Sequence, residues 1–172
     1  HVDDVEAEAR RYLRAIEASK EQLRALKSRL EAQVGREHGI ILDAHLLMLE
    51  DRSLSSEIVE SIRAGHANAE WVLMQATERL VHAYLSLKDE YFRERHSDIE
   101  HVAERILLNL SGDRPFSWEH LAGDQIIVSR DFSPSDFATV DLTKVRGLVL
   151  ESGGRTSHTS IICRGLLLPA VI

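Results

Sequence analysis

Cysteine is nearly absent: the 172 residues hold one, Cys163, which excludes an internal disulfide and any metal site built from several thiolates. Its place in an apolar helical turn marks it for burial. No apolar run approaches the roughly 20 residues of a membrane span, and the opening residues carry no secretory signal pattern. These absences point to a cytoplasmic protein. Positive charge is also short. The net charge is −7, and residues 1–111 hold 21 acidic and 15 basic side chains against 7 and 6 in the remainder. An acidic surface argues against nucleic acid, whose phosphates need lysine and arginine, and suits a basic protein partner.

What remains is 44% hydrophobic and 28% charged, enough for one domain or two small subdomains. A chain without an initiator methionine, entering helix almost at once, is expected to be a fragment of something longer. From Asp3 to Gln33, Val5, Ala9, Tyr12, Ile16, Leu23, Leu26 and Leu30 recur every three or four positions and predict one long helix ended by Gly35. A second helix is expected from Arg36 to Leu49, apolar on more than one side. Six carboxylates between Glu37 and Glu60, against the single Arg52, rim that apolar ridge with acid, a surface suited to docking. A third helix is predicted from Leu54 to Ala64. Asn68 caps a fourth that runs to about Arg95, with Trp71, Leu73, Met74 and Leu80 in the core, and Ser97-Asp98-Ile99-Glu100 reads as a capping box starting the last. Residues 1–111 are therefore expected to form a helical bundle.

After Gly112 the texture changes. Asp113-Arg114-Pro115 opens a connection, and Ser117-Trp118-Glu119-His120 suggests a helical turn. Gln125–Ser129 and Gly147–Leu150 read as strands around a short helix started by Ser133-Pro134-Ser135-Asp136. Strand, helix, strand, glycine turn, helix, strand is a βαβ order. The fold class is thus α+β, a helical bundle (1–111) beside a small, incomplete α/β subdomain (112–172).

The chemistry concentrates in Gly153-Gly154-Arg155-Thr156-Ser157-His158-Thr159-Ser160, at the carboxyl end of the second strand. Two glycines leave backbone amides uncovered, Thr156 and Ser157 are cap-forming types, and a helix start favours an anion. His158 offers a neutral nucleophilic nitrogen at that point. Hydroxyls of Thr156, Ser157, Thr159 and Ser160 are candidates to orient the ring or a phosphoryl group. On residue types alone, a glycine turn with a capping histidine accounts for the segment equally well. Ser157 beside His158 does not make a hydrolase, since neighbours on a helix start do not face each other. His38 and His45, seven apart, share a helix face, but with no third ligand at a helpful spacing they are read as surface residues, and no metal is expected.

The run from Gly153 through Gly165, followed by Leu168-Pro169-Ala170-Val171-Ile172, closely resembles the phosphohistidine segment of Enzyme I of the phosphoenolpyruvate-dependent sugar phosphotransferase system. Dikinases and phosphoenolpyruvate synthases share the Gly-Gly and Thr-Ser-His core, but Arg155 and Thr159 favour Enzyme I. The resemblance covers essentially the whole chain, including Asp43–Asp51, Tyr91–Arg95, Ile106–Leu110 and Asp131–Asp136. It implies an amino-terminal domain whose helical part docks the phosphocarrier HPr and whose α/β part carries a histidine phosphorylated on Nε2. His158 is then catalytic, Gly153, Gly154, Arg155, Thr156, Ser157 and Thr159 support it, and His45, Leu46, Met48, Leu49, Glu50 and Arg95 meet HPr. Phosphoenolpyruvate and Mg2+ would bind a carboxyl-terminal barrel outside this sequence, which also dimerises the full-length enzyme, leaving this fragment a monomer without a cofactor. Arg36 and Arg52 stand where relatives tend to have acids, and Phe137 aligns with a threonine near the active histidine. A nitrogen-regulatory paralogue of Enzyme I shares the motif; a dikinase or synthase swivelling domain and a noncatalytic helical module are the further alternatives.

Overall fold

A computed structural model of the chain describes residues 2–113, 118 and 120–172, the side chains of 90 and 91 excepted. The expected Asp113-Arg114-Pro115 connection and the Ser117–His120 turn fall largely outside the described residues. Eight helices, α1 Val5–Val34, α2 Arg36–Glu50, α3 Ser56–Gly65, α4 Ala69–Leu85, α5 Glu90–Glu94, α6 His96–Ser111, α7 Pro134–Thr139 and α8 His158–Gly165, accompany three strands among the described residues. These are β1 Gln125–Ser129, β2 Val145–Leu150 and β3 Ala170–Val171. The backbone contacts divide into two compact units, His1–Leu23 with Ala44–Pro115 and Arg24–Asp43 with Phe116–Ile172.

In the first unit the apolar stripes of the helices meet in a core that fully buries Tyr12, Leu23, Leu54, Ile58, Ile62, Leu73 and Ile106. Full burial of each aliphatic side chain is worth about 1.5–3 kcal/mol relative to exposure. The polar tip of Tyr12 is satisfied, its hydroxyl donating to the Leu54 carbonyl at 2.6 Å. Asn68 caps α4 as its residue type dictates, its side chain accepting from the Trp71 amide.

Three expectations about this unit are corrected. α4 ends at Leu85, not near Arg95, and α5 follows as a separate turn. The repeat of apolar residues continues past Ala76, but burial does not: Leu85 and Leu87 are exposed, so packing no longer holds a helix together there. Trp71 and Met74 lie outside the core, 57% and 55% exposed, while Leu73 alone of that group is fully buried. The Ser97 capping box does not form. α6 has already begun at His96, and the Ser97 hydroxyl donates back to the Glu94 carbonyl.

In the second unit the sheet is parallel in the order β1-β2-β3, with Val128 opposite Val149 and Val149 opposite Val171. Parallel neighbours require crossovers, which α7 and α8 supply. α7 starts on a complete capping box, Ser133 accepting from the Asp136 amide while Asp136 accepts from the Ser133 amide, with Pro134 in the first turn. Beneath it, Phe132 and Phe137 are fully buried, edge to face with centroids 4.8 Å apart. Gly35 separates α1 from α2 with φ +103°, a conformation that a side chain would oppose. The helix-rich chain with its small parallel sheet has the expected fold class.

Candidate functional site

β2 runs Val145–Leu150 through the sheet, and the chain then turns through Glu151–Ser157 into α8, whose first residue is His158. The turn is possible because Gly153 adopts φ +126°; a Cβ there would also lie 3.0 Å from Ile172 Cγ2. Ser157 occupies the cap position in extended backbone and accepts from the Ser160 amide at 3.2 Å. Its own hydroxyl donates to Ser160 Oγ, and Ser160 Oγ donates to the Gly154 carbonyl at 2.7 Å. A closed set of bonds therefore folds the glycine turn against the first helical turn. Arg164 adds a bond from Nη1 to the Arg155 carbonyl at 2.8 Å.

The hydroxyls divide by task. Thr159 is buried and donates to the Phe132 carbonyl at 2.6 Å, so it anchors α8 to the segment before α7. Ser157 and Ser160 are engaged within the turn. In this structure the hydroxyls of Thr159, Ser157 and Ser160 hold the helix start in place. Gly153, Arg155 and Thr156 are exposed, and Gly154, Ser157 and His158 are half-buried, so the segment presents itself to solvent around the imidazole. The positive end of α8 lies at that imidazole, where negative charge is favoured. Phe137 points into the core against Phe132.

The expected docking residues behave differently from one another. Glu50 is exposed, Leu46 and Met48 are half-buried, and Arg95 sits beside Asp98 with Nη1 3.5 Å from Oδ2. His45 and Leu49 are buried at 2% and 0% exposure and offer no surface to a partner, because α2 turns that side into the core. Leu47, which falls between the named residues, is 67% exposed. It was missed because an apolar residue in an apolar helix carries no mark of its side; only the packing of α2 decides it.

The reading of His38 and His45 as surface residues is also corrected, for both are buried. His38 lies so close to Gly165 that a Cβ there would fall 2.8 Å from Nε2. His45 does have further potential ligands near it: Asp98 and His101, on α6, converge on it in the fold though not in the sequence.

Residues 1–95 match the family model described as PEP-utilising enzyme, N-terminal, and residues 121–172 match the PEP-utilising enzyme mobile domain. The chain is 37% identical over 171 residues to a phosphoenolpyruvate-protein phosphotransferase of Listeria monocytogenes and 35% identical over 170 residues to one of Haemophilus influenzae. Each alignment covers 99% of this chain and 30% of the relative, so the chain spans about a third of the length of the curated proteins it matches. An NMR solution structure of an Enzyme I protein superimposes with a TM-score of 0.79 at 32% identity, over 99% of this chain and 70% of that one. The N-terminal domain of a nitrogen Enzyme 1 gives 0.67 at 25% identity, over 99% and 69%.

Proposed function

This chain belongs to the Enzyme I family of PEP-utilising enzymes, and from that premise we propose that it is the amino-terminal part of a phosphoenolpyruvate-protein phosphotransferase in which His158 carries the phosphoryl group. The observation that supports this most directly is the placement of His158 as the first residue of α8, at the carboxyl end of β2, behind a glycine turn closed by Ser157 and Ser160. A ring nitrogen of neutral His158 attacks the phosphorus of phosphoenolpyruvate. The P–O bond to the enol oxygen breaks, a P–N bond forms, the ring proton leaves, and the enolate of pyruvate so released takes up a proton. In the second half, a histidine of the HPr-type phosphocarrier attacks the same phosphorus and the P–N bond to His158 breaks. Throughout, the positive end of α8 favours the phosphoryl charge.

In this reading residues 112–172 carry the phosphohistidine and residues 1–111 dock HPr in the cytoplasm, feeding sugar uptake. The docking face uses Leu47, Met48 and Glu50 on α2 and Phe92 on α5, which are at least partly exposed, with Arg95 near its edge. No helix among the described residues is long and apolar enough to cross a membrane. The phosphoenolpyruvate site belongs to the further length that the curated relatives possess. Magnesium belongs there too: among the described residues the one three-ligand cluster contains two imidazoles, whereas magnesium takes oxygen donors.

The test is phosphoryl transfer from phosphorylated HPr, followed by phosphorus NMR. His158 is expected to be the only one of the nine histidines labelled, as an acid-labile, base-stable adduct. His158→Ala removes the signal while helical circular dichroism is retained. Labelling of a different histidine overturns the assignment.

A further inference from the structure

Beneath the exposed side of α2 lies a cluster that phosphoryl transfer does not use. α2 contributes His45, and α6 contributes Asp98 and His101, one turn apart on the same face. One potential ligand atom from each lies within 4.8 Å of the other two, and His45 Nε2 is 3.2 Å from Asp98 Oδ1. His45 and Asp98 are 2% and 3% exposed, and His101 is half-buried. We propose that His45, Asp98 and His101 form a binding site for one divalent transition-metal ion, with zinc the ion its donor set fits best.

Two imidazole nitrogens and one carboxylate oxygen suit zinc, cobalt or nickel and do not suit magnesium or calcium, which take oxygen. With bonds of about 2.0–2.1 Å, neighbouring ligands of a tetrahedral zinc ion stand about 3.4 Å apart. The His45–Asp98 pair already has that separation. The two imidazole centroids are 6.4 Å apart with the rings tilted by 49°, so the rings are not stacked face to face. Bringing His101 to bonding distance requires a movement of about 1 Å, within the reach of a side-chain rotation. Arg95 approaches Asp98 through Oδ2, the oxygen not directed at His45. It thereby orients the carboxylate as an outer partner does in metal sites, while its charge weakens the affinity.

A metal requires a further donor converging on the same point as the His45–Asp98 pair, and His101 supplies it. An ion bound by all three ties α2 to α6.

Titration of the metal-stripped full chain with zinc by calorimetry, and with cobalt followed by visible absorption, tests the proposal. One ion per chain is expected, with the intense cobalt absorption of a low-coordinate nitrogen and oxygen site. His101→Gln and Asp98→Asn are each expected to weaken zinc binding at least about tenfold, without loss of His158 phosphorylation from phosphorylated HPr. If either variant melts early, nitrogen NMR of the unsubstituted chain decides: zinc-induced shifts of ring nitrogens at His45 and His101 support the site. Shifts confined to other histidines, binding by His101→Gln equal to that of the unsubstituted chain, or no bound ion would each overturn it.

Discussion

Thr159 shows how far a single residue can be read from its type. A hydroxyl beside His158 suggests contact with a phosphoryl group, yet its bond goes to the Phe132 carbonyl, 27 residues earlier. Nothing local to the motif encodes a partner that the crossover brings back. Thr159→Val leaves that carbonyl unpaired in the core and is expected to cost about 1–3 kcal/mol in urea unfolding, while phosphoryl acceptance by folded protein persists. Gly153 was legible, because only glycine adopts φ +126° cheaply. Gly153→Ala combines that strain with the approach to Ile172 and should lower stability by about 1–3 kcal/mol. Cys163 was legible as a buried residue, and burial pushes its thiol up to about 11. The unfolded thiol ionises near 9.0 while the folded one stays protonated, so the unfolded state gains from ionisation first. Stability should fall as the pH rises from about 9 to 11. Cys163→Ala should flatten that part of the urea midpoint profile, and an unchanged slope would place the titration elsewhere.

Among the elements, α1 was read almost to its ends because a stripe with helical spacing over thirty residues has few other readings. Its side-chain partners were not readable. Glu8 accepts from Arg11 and from the Ala69 amide, and Arg11 also pairs with Glu70, joining α1 to the start of α4. Hydrogen bonds from Arg11 hold both carboxyls below their ordinary value of 4.5, and the raised Arg11 keeps its charge throughout. This contribution is complete above pH 4.5 and is lost as the pH falls through the lower folded values. Glu8→Gln is expected to cost about 1 kcal/mol at neutral pH and to reduce the acid sensitivity of unfolding. On α2, the apolar and acidic composition did not show which side faces solvent, and so which side the proposed docking face would use. Asp51, one of the rim acids, accepts from the Ser53 amide as a cap of the following turn, so reversing it would confuse docking with stability. Glu50→Lys on the exposed face is the cleaner change. It should slow association with a basic HPr several-fold at low salt and much less at high salt, as stopped-flow mixing would show.

At the scale of the whole molecule, composition marks the change from helix to sheet at Gly112 but not the grouping of residues 24–43 with the later part of the chain. A thirty-residue helix is about 45 Å long, long enough for its two ends to serve different compact units, and a continuous stripe gives no sign of where one core stops. The two halves of the proposed reaction are distributed over a still larger scale. His158 and the helices proposed to dock HPr lie on this chain, whereas the curated phosphotransferases are about three times its length. Phosphorylated HPr should therefore label His158 on this chain alone, since both phosphoryl groups are held by comparable P–N bonds and the transfer is reversible. Phosphoenolpyruvate with magnesium should give no label until the remaining portion of the enzyme is supplied. Joined through its linker, that portion raises the local concentration of the donor site and should restore labelling far more efficiently than the same portion added free. Phosphorus NMR of the three mixtures distinguishes these outcomes. Robust labelling by phosphoenolpyruvate in the absence of the remaining portion would locate the donor site on these 172 residues and overturn the proposed division of labour.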